Sequence, residues 1–147
     1  MNMKAKLIRF NQIYKEMDVL YHNYAKQLGL SDTAFWVLYC ICERDATFTQ
    51  RELCREWSFS PQTLNSALKD MEKRGLICLD PVPGNKKNKL LSLTADGKQL
   101  VATSILPLMQ AEADSFCALN EAECEQMLSL TERYAAALRQ GIETLTK

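Results

Sequence analysis

The sequence predicts a mainly α-helical chain that carries one small β-ribbon near its middle. Apolar residues recur at three- and four-residue spacing through most of the 147 residues, which is the period of amphipathic helices. Two short apolar runs, residues 76–79 and 90–93, have strand length and are separated by a segment rich in turn formers. With 47% hydrophobic residues, the chain can bury a core of its own.

Just before the ribbon, the pattern predicts two short helices joined by a tight turn. In the first helix Thr49 and Glu52 form a capping box, in which each side chain satisfies a free amide at the helix start. The apolar face that contains Trp57 leaves Arg51 and Arg55 for solvent. This helix therefore has a charged outer face and an apolar inner one.

The second helix of the pair has clear ends and two opposite faces. Ser60 followed by Pro61 is the favoured order for a helix start. Gly75 ends the helix, because glycine enters the left-handed conformation without a steric penalty. One face is apolar and consists of Leu64, Ala67, Leu68 and Met71. The other face carries amides, hydroxyls and lysines, namely Gln62, Thr63, Asn65, Ser66, Lys69 and Lys73.

Such a polar face suits the major groove of DNA. Glutamine and asparagine pair bidentately with adenine there, and lysine reaches guanine or phosphate. The six polar side chains, together with Ser60 at the helix start, are therefore candidate DNA-binding residues. An ordinary solvated helix face has the same composition, so this helix alone leaves both interpretations open.

The segment that joins the two strands carries a lysine-rich tip. Turn formers such as Pro83 and Gly84 place a hairpin turn here, with Lys86, Lys87 and Lys89 at or beside its tip. Concentrated positive charge on a projecting ribbon binds a phosphate backbone or a minor groove. A charge run alone is typical of a soluble loop, but directly behind a helix-turn-helix it indicates a wing.

This order of elements resembles the winged helix-turn-helix of MarR-type bacterial transcription regulators. The resemblance rests on EKRGLI at residues 72–77 and on Leu93, Thr94 and Gly97 after the wing, and the flanking helices extend it over nearly the whole chain. One departure concerns the wing, where the family usually carries Asp-x-Arg and this chain has NKKNK at residues 85–89. Lysine lacks the planar fork of arginine, so we expect weaker readout of the minor groove.

The distribution of charge is more informative than its sum. Net charge predicts no nucleic-acid partner, because 18 basic residues balance 18 acidic ones. Residues 61–98, however, carry 7 basic and 4 acidic residues, whereas residues 99–147 carry 3 and 7. Residues 61–98 would form a positive reading head, the part that contacts DNA. Together with the acidic residues 99–147, this charge would orient a neutral protein on DNA.

The segments before the helix pair are predicted to form its scaffold. Residues 3–28 have the pattern of a long amphipathic helix. Asp32–Arg44 is apolar nearly all round, so this helix should be the buried centre of the domain. Thr47 and Phe48 are predicted to add a short third strand to the ribbon.

Two long helices are predicted after the wing. Thr94 caps the first, and Pro107 should kink it without ending it, because the apolar pattern continues beyond the proline. Asn120 and Glu123 form a second capping box, and the last helix runs to about Leu145. A reading head of this size has little use for so much amphipathic helix, so the apolar stripes are predicted to pack against a second copy.

We therefore expect one MarR-like domain over residues 1–147. Its dimerisation helices are expected at residues 1–29 and 95–147, and its winged helix-turn-helix at residues 30–94. In a two-fold dimer, each copy would contribute one recognition helix, the second helix of the pair. The two recognition helices would lie about one turn apart on a pseudo-palindromic operator in double-stranded DNA.

The expected function is that of a dimeric, sequence-specific DNA-binding transcriptional regulator, a repressor released by a small-molecule ligand. The resemblance implies a ligand cavity between the first two helices and the long fifth helix. The candidate ligand-binding residues there are Tyr14, Met17, Asp18, Tyr21, Phe35, Trp36 and Tyr39. Two alternatives stay open: a winged-helix module that binds protein and not DNA, and a regulator that responds to oxidation through cysteine.

The remaining reactive residue types argue against several other functions. The six cysteines contain no C-x-x-C pair, and most are predicted to be small buried hydrophobes. His22 is the only histidine, so neither a metal site, a cofactor nor an enzyme activity is expected. No signal peptide or membrane-length apolar run is evident in the sequence, which makes a cytoplasmic protein the expectation.

Overall fold

The computed structural model describes residues 2–44 and 47–146. The chain divides into two compact units, Met1–Leu106 and Pro107–Lys147. The division into dimerisation helices and a winged helix-turn-helix stays a prediction. In the described part of the chain, no helix combines the length and the apolar character needed to cross a bilayer.

The elements of the chain follow the predicted order of helices and strands, and those up to the start of α6 form the first unit. In chain order they are α1 (Met3–Gln27), α2 (Asp32–Arg44), β1 (Phe48–Thr49), α3 (Gln50–Trp57), α4 (Pro61–Lys73), β2 (Ile77–Val82), β3 (Asn85–Leu93), α5 (Ala95–Leu100), a π-helical turn (Val101–Ile105), α6 (Leu106–Phe116) and α7 (Glu121–Leu145). The expectation of a mainly helical fold with a small β-wing is confirmed.

Local hydrogen bonds define the ends of α3 and α4. The Thr49 hydroxyl accepts from the Glu52 amide, and the Glu52 carboxylate accepts from the Thr49 amide, both at 3.2 Å, which confirms the predicted capping box. The Ser60 hydroxyl accepts from the Thr63 amide at 3.1 Å and starts α4. Gly75 has φ +75°, the left-handed value that ends α4 as predicted.

Helix α2 lies at the centre of the first unit, as its sequence predicts. Phe35, Val37 and Leu38 are completely buried. The predicted apolar face of α4 is buried as well and consists of Leu64, Ala67, Leu68 and Met71. Because this face packs inward, the polar face of α4 is held outward.

The sheet is antiparallel with strand order β1-β3-β2. Phe48 pairs with Leu91 and Thr49 with Leu90, so a third strand is present, but it lies one residue later than predicted and does not include Thr47. The strands of the wing are longer than predicted, and the turn is only two residues, Pro83 and Gly84. Proline at the first turn position and a φ of +80° at Gly84 fit a type II turn, which lets the strands run almost to the tip.

The wing lysines therefore lie on a strand and not in a loop. Pro81 pairs with Lys89, but the next residue, Val82, pairs with Asn85. The residues between these two pairs bulge out of β3, and Lys87 is one of them.

A π-helical turn interrupts the helix after the wing just before Pro107. The Leu106 amide donates to the Val101 carbonyl, five residues back, and the hydroxyl of Thr103 donates to the Gln99 carbonyl at 3.0 Å. Proline has no amide proton to continue an α-helical ladder, so the irregularity is placed one turn ahead of it. The helical backbone then continues past Pro107, as predicted.

The second unit contains most of α6 and all of α7. The Asn120 side chain accepts from the Glu123 amide at 2.8 Å, and the Glu123 carboxylate accepts from the Asn120 amide at 2.9 Å, which confirms the second capping box. The apolar stripe of α7 is exposed in the single chain and comprises Met127, Leu128, Leu130, Tyr134, Leu138, Ile142 and Leu145.

The prediction that most cysteines are buried is wrong. Only Cys40 is buried, because it alone lies on the inner face of α2. The partly exposed thiols are Cys42, Cys54 and Cys124, and the exposed ones are Cys78 and Cys117.

Candidate nucleic-acid interface

The outer face of α4 forms an exposed polar ridge. Its buried stripe, which includes Leu64 and Leu68, fixes the rotation of the helix about its own axis. All seven candidate residues on or before this helix are consequently exposed, namely Ser60, Gln62, Thr63, Asn65, Ser66, Lys69 and Lys73. The predicted face is thus a continuous surface.

An open cleft of about 500 Å³ separates the first turns of α3 and α4 from the wing. Of the predicted DNA-binding residues, Gln62, Asn65 and Lys87 line this cleft. Arg51 and Asn88 also line it, and neither is among the site residues predicted from the sequence. The fold therefore brings α4 and the wing to opposite sides of one groove.

A second cleft of about 440 Å³ lies on the other flank of α4, toward the start of α2. Gln62, Thr63 and Ser66 line this cleft together with Asp70. Because Gln62 borders both clefts, it lies on the crest of the ridge, where a side chain reaches furthest from the protein.

Ser60 has a structural role in this ridge. Its hydroxyl accepts from the Thr63 amide and donates to the Thr63 hydroxyl, the latter at 2.7 Å. Both interactions hold the first turn of α4 in place, so Ser60 orients the neighbouring side chains.

The tip of the wing is shaped by an asparagine. The Asn85 side-chain oxygen accepts from the Lys87 amide at 3.2 Å and from the Asn88 amide at 3.3 Å. Lys86 and Lys87 are exposed in this bulge, whereas Lys89 is half-buried further along the strand. Among the described residues, no carboxylate forms an ion pair with these three lysines.

Comparison with known proteins identifies the fold that carries this surface. The MarR family model matches residues 28–87, which span α2, α3, α4 and most of the wing. A MarR family transcriptional regulator from Listeria monocytogenes, solved in complex with a 26mer DNA, is 27% identical, with a TM-score of 0.70 over 92% of this chain and 89% of that protein. Residues 28–87 match the MarR family, and the chain has a MarR-type winged helix-turn-helix.

Other solved structures share the fold at lower identity. NMB1585, a MarR family regulator from Neisseria meningitidis, is 21% identical with a TM-score of 0.75, over 97% of this chain and 98% of its own. The heme sensor protein PefR, solved with heme and carbon monoxide, is 19% identical with a TM-score of 0.60, over 88% and 92%. A comparison with curated protein sequences gives no match.

The match to the MarR family model and to a DNA-bound MarR family structure indicates the class of function. The family consists of DNA-binding transcriptional regulators and not of enzymes, and the alternative of a protein-interaction module is not favoured. In the described part of this MarR-type chain, no cluster of three or more histidine, cysteine or carboxylate side chains is arranged to hold a metal ion.

The candidate ligand-binding residues of this MarR-type chain fall into two groups. Asp18, Tyr21 and Trp36 line a cleft of about 330 Å³ between α1 and α2. His22 and Asp32, which are not among the predicted ligand-binding residues, also line it, and the His22 Nδ1 atom lies 2.9 Å from both Asp32 carboxylate oxygens. His22 lies in α1 and Asp32 in α2, so no local sequence pattern predicts their contact.

The other candidates lie beside or away from this cleft. Phe35 is completely buried behind it, with its ring centroid 4.9 Å from that of Trp36. Tyr39 packs against Trp36 at 5.2 Å. Tyr14 and Met17 are exposed on α1 and are not among the lining residues.

Proposed function

We propose that this MarR-type chain is a homodimeric, cytoplasmic repressor that binds a pseudo-palindromic operator and is released from it by a small-molecule ligand. The observation that carries the proposal is the exposed polar face of α4, which stands across an open cleft from the lysines of the wing. A ridge flanked by grooves and a basic ribbon matches the major groove and the adjacent backbone of duplex DNA.

In this proposal α4 reads base edges and the wing holds the backbone. Gln62 and Asn65 would make bidentate contacts to adenine, each worth about 1–3 kcal/mol of discrimination. Thr63 and Ser66 flank them, and Ser60 fixes the first turn. Phosphate and minor-groove contacts come from the lysines, namely Lys69, Lys73, Lys86, Lys87 and Lys89.

Dimerisation would use residues 1–29 and 95–147 and leave residues 30–94 to bind DNA. In the single chain α1 buries only Ala25, and no residue of α7 is buried. Exposed apolar surface on this scale marks a protein interface, and a second copy of the chain supplies matching stripes. The two recognition helices would then lie about 34–36 Å apart, one turn of DNA.

The ligand would enter the cleft between α1 and α2, where Asp18, Tyr21 and Trp36 meet. Tyr14, Met17, Phe35 and Tyr39 would contact it only after local rearrangement. A row of aromatic rings leads from this cleft toward α4: Tyr21 to Trp36 at 5.1 Å, Trp36 to Trp57 at 5.7 Å, and Trp57 to Phe59 at 6.3 Å. Phe59 directly precedes the cap of α4, so a ligand that displaces Trp36 favours a different placement of the reading head.

The test is selection of bound duplexes from a random pool, followed by fluorescence anisotropy on the enriched sequences at several salt concentrations. We expect an inverted repeat with half-sites about one turn apart, bound at least about a thousandfold more tightly than scrambled DNA. Weak, salt-sensitive binding without enrichment would contradict a sequence-specific regulator.

A further inference from the structure

We infer that Arg51 binds a backbone phosphate of DNA inside the cleft between the wing and the recognition helix. This inference rests on the proposed DNA-binding function and adds to it a contact from α3, a helix that neither reads bases nor forms the wing. Arg51 lines this cleft, the cleft carries positive charge, and Arg44 and Arg74 are engaged within the protein.

Three elements of the first unit meet at this cleft. Arg51, in the first turn of α3, lines one part of it, Gln62 and Asn65 of α4 line another, and Lys87 of the wing lines a third. A DNA strand whose bases are read by α4 and whose backbone is held by the wing passes between those two elements. Arg51 is the residue of α3 best placed to meet it.

The two clefts beside α4 differ in charge, and only the cleft on the wing side favours a phosphate. The wing-side cleft is lined by two cations, Arg51 and Lys87, and none of its described lining residues is acidic. The opposite cleft is lined by Asp70, and none of its described lining residues is basic. A phosphate is attracted to the first cleft and repelled from the second.

Other arginines of the first unit are already used within the protein. Arg44 pairs with Glu56, and Arg74 donates to the Gly29 carbonyl at 2.8 Å and lies 3.8 Å from Asp70. No described carboxylate pairs with Arg51. Its guanidinium is exposed and available for an external anion.

A hydrogen bond from the backbone amide of Arg51 holds the wing beside α3. The Arg51 amide donates to the Asn88 side-chain oxygen at 3.4 Å, a long bond that joins α3 to the wing. Asn88 is in turn positioned by the Asn85 side chain, which also accepts from the Lys87 amide. Arg51 and Lys87 thus approach one groove from separate elements without a large loss of chain entropy on binding.

An arginine here supplies what the wing lacks. Residues 85–89 contain lysines but no arginine, and lysine binds phosphate as a point charge. The planar guanidinium of Arg51 can donate two parallel hydrogen bonds to one phosphate, which fixes the register of the backbone as well as adding affinity.

The test compares Arg51→Ala with Arg55→Ala in the full-length protein. Both changes remove one exposed positive charge from the same helix, but Arg55 does not line the cleft. We expect Arg51→Ala to weaken operator binding about tenfold and to lower the slope of log affinity against log salt by about 1, whereas Arg55→Ala changes affinity by less than about twofold. Equal effects of the two substitutions would overturn the inference.

Two further outcomes distinguish a failure of this inference from a failure of the proposed function. If alanine at Lys86, Lys87 and Lys89 weakens binding and Arg51→Ala does not, the inference fails and the proposed function stands. If neither variant weakens binding, the proposed DNA site itself is contradicted. Circular dichroism of each variant checks that it remains folded.

Cys54 provides a second readout that needs no charge change. It is partly exposed and lines the same cleft, whereas Cys117 is exposed in the second unit. We expect operator DNA to slow alkylation of Cys54 by N-ethylmaleimide at least about fivefold relative to Cys117, because a strand in the cleft blocks access to the thiol. An unchanged ratio of the two rates would show that no DNA occupies the cleft and would overturn the inference.

Discussion

At the scale of single residues, the segment LT-x-x-G after the wing proves to be a packing device. A Cβ atom at Gly97 would lie 2.0 Å from the Leu76 carbonyl oxygen, so α5 approaches the start of β2 more closely than any side chain permits. The Thr94 hydroxyl donates to the Gly75 carbonyl and accepts from the Gly97 amide. These contacts join the end of α4 to the start of α5.

The first prediction concerns this contact. Gly97→Ala forces the backbone apart, and we expect it to lower the free energy of unfolding by about 1–3 kcal/mol or more, the usual cost of overpacking. Urea denaturation measures the change. Gly141→Ala is the control, because a Cβ there meets nothing within 4 Å and alanine favours a helix. A Gly97→Ala protein as stable as the parent would contradict the tight contact.

The second prediction concerns the one buried thiol. Burial raises the pKa of the Cys40 thiol, and burial also blocks its approach by reagents. Since the thiolate is the reactive form, we expect Cys40 to be alkylated last and exposed Cys78 and Cys117 first, as followed by mass spectrometry of the peptides. The folded state holds this proton more tightly than the unfolded chain, so stability should fall as the pH rises above the ordinary thiol range. Early labelling of Cys40 in the native protein would contradict its burial.

At the scale of elements, local signals were predictable and contacts between elements were not. The cap at Thr49 and the stop at Gly75 depend on residues only a few positions apart, so the sequence alone identified them. The extent of the wing strands depends on pairs such as Pro81 with Lys89, which the turn sets. The polar face of α4 followed from its period, but the contact of Arg51 with Asn88 spans 37 residues and has no local signature.

The third prediction tests the wing as an element. Replacing Lys86, Lys87 and Lys89 with alanine should weaken binding to all DNA sequences alike, because phosphate contacts carry no sequence information. Each lost contact should lower the salt slope by about 0.9. Anisotropy on operator and scrambled duplexes measures both effects, and Lys98→Ala, at an exposed lysine of α5, is the control. A loss confined to the operator would assign the wing to base readout instead.

At the scale of the whole molecule, α1 and α7 both leave apolar side chains exposed to solvent. Leu20 of α1 is 69% exposed and Leu138 of α7 is 46% exposed, although both belong to regular apolar stripes. An isolated chain gains nothing from such stripes, because they cost solubility without adding to its core. The exposed stripes are therefore best explained if the chain is one half of a two-fold dimer. In that dimer the stripes are buried and the two reading heads act together.

The last prediction follows from that assembly. Leu138→Glu places a charge in the proposed interface, and we expect the protein to sediment as a monomer at concentrations where the parent is a dimer. Operator affinity should then fall by about a hundredfold or more, because each head binds its half-site alone and loses the effective concentration that the dimer provides. The neighbouring Arg139→Ala is the control and should leave the dimer intact. A parent protein that is already monomeric, or a Leu138→Glu monomer that binds the operator as tightly as the parent, would remove dimerisation from the mechanism.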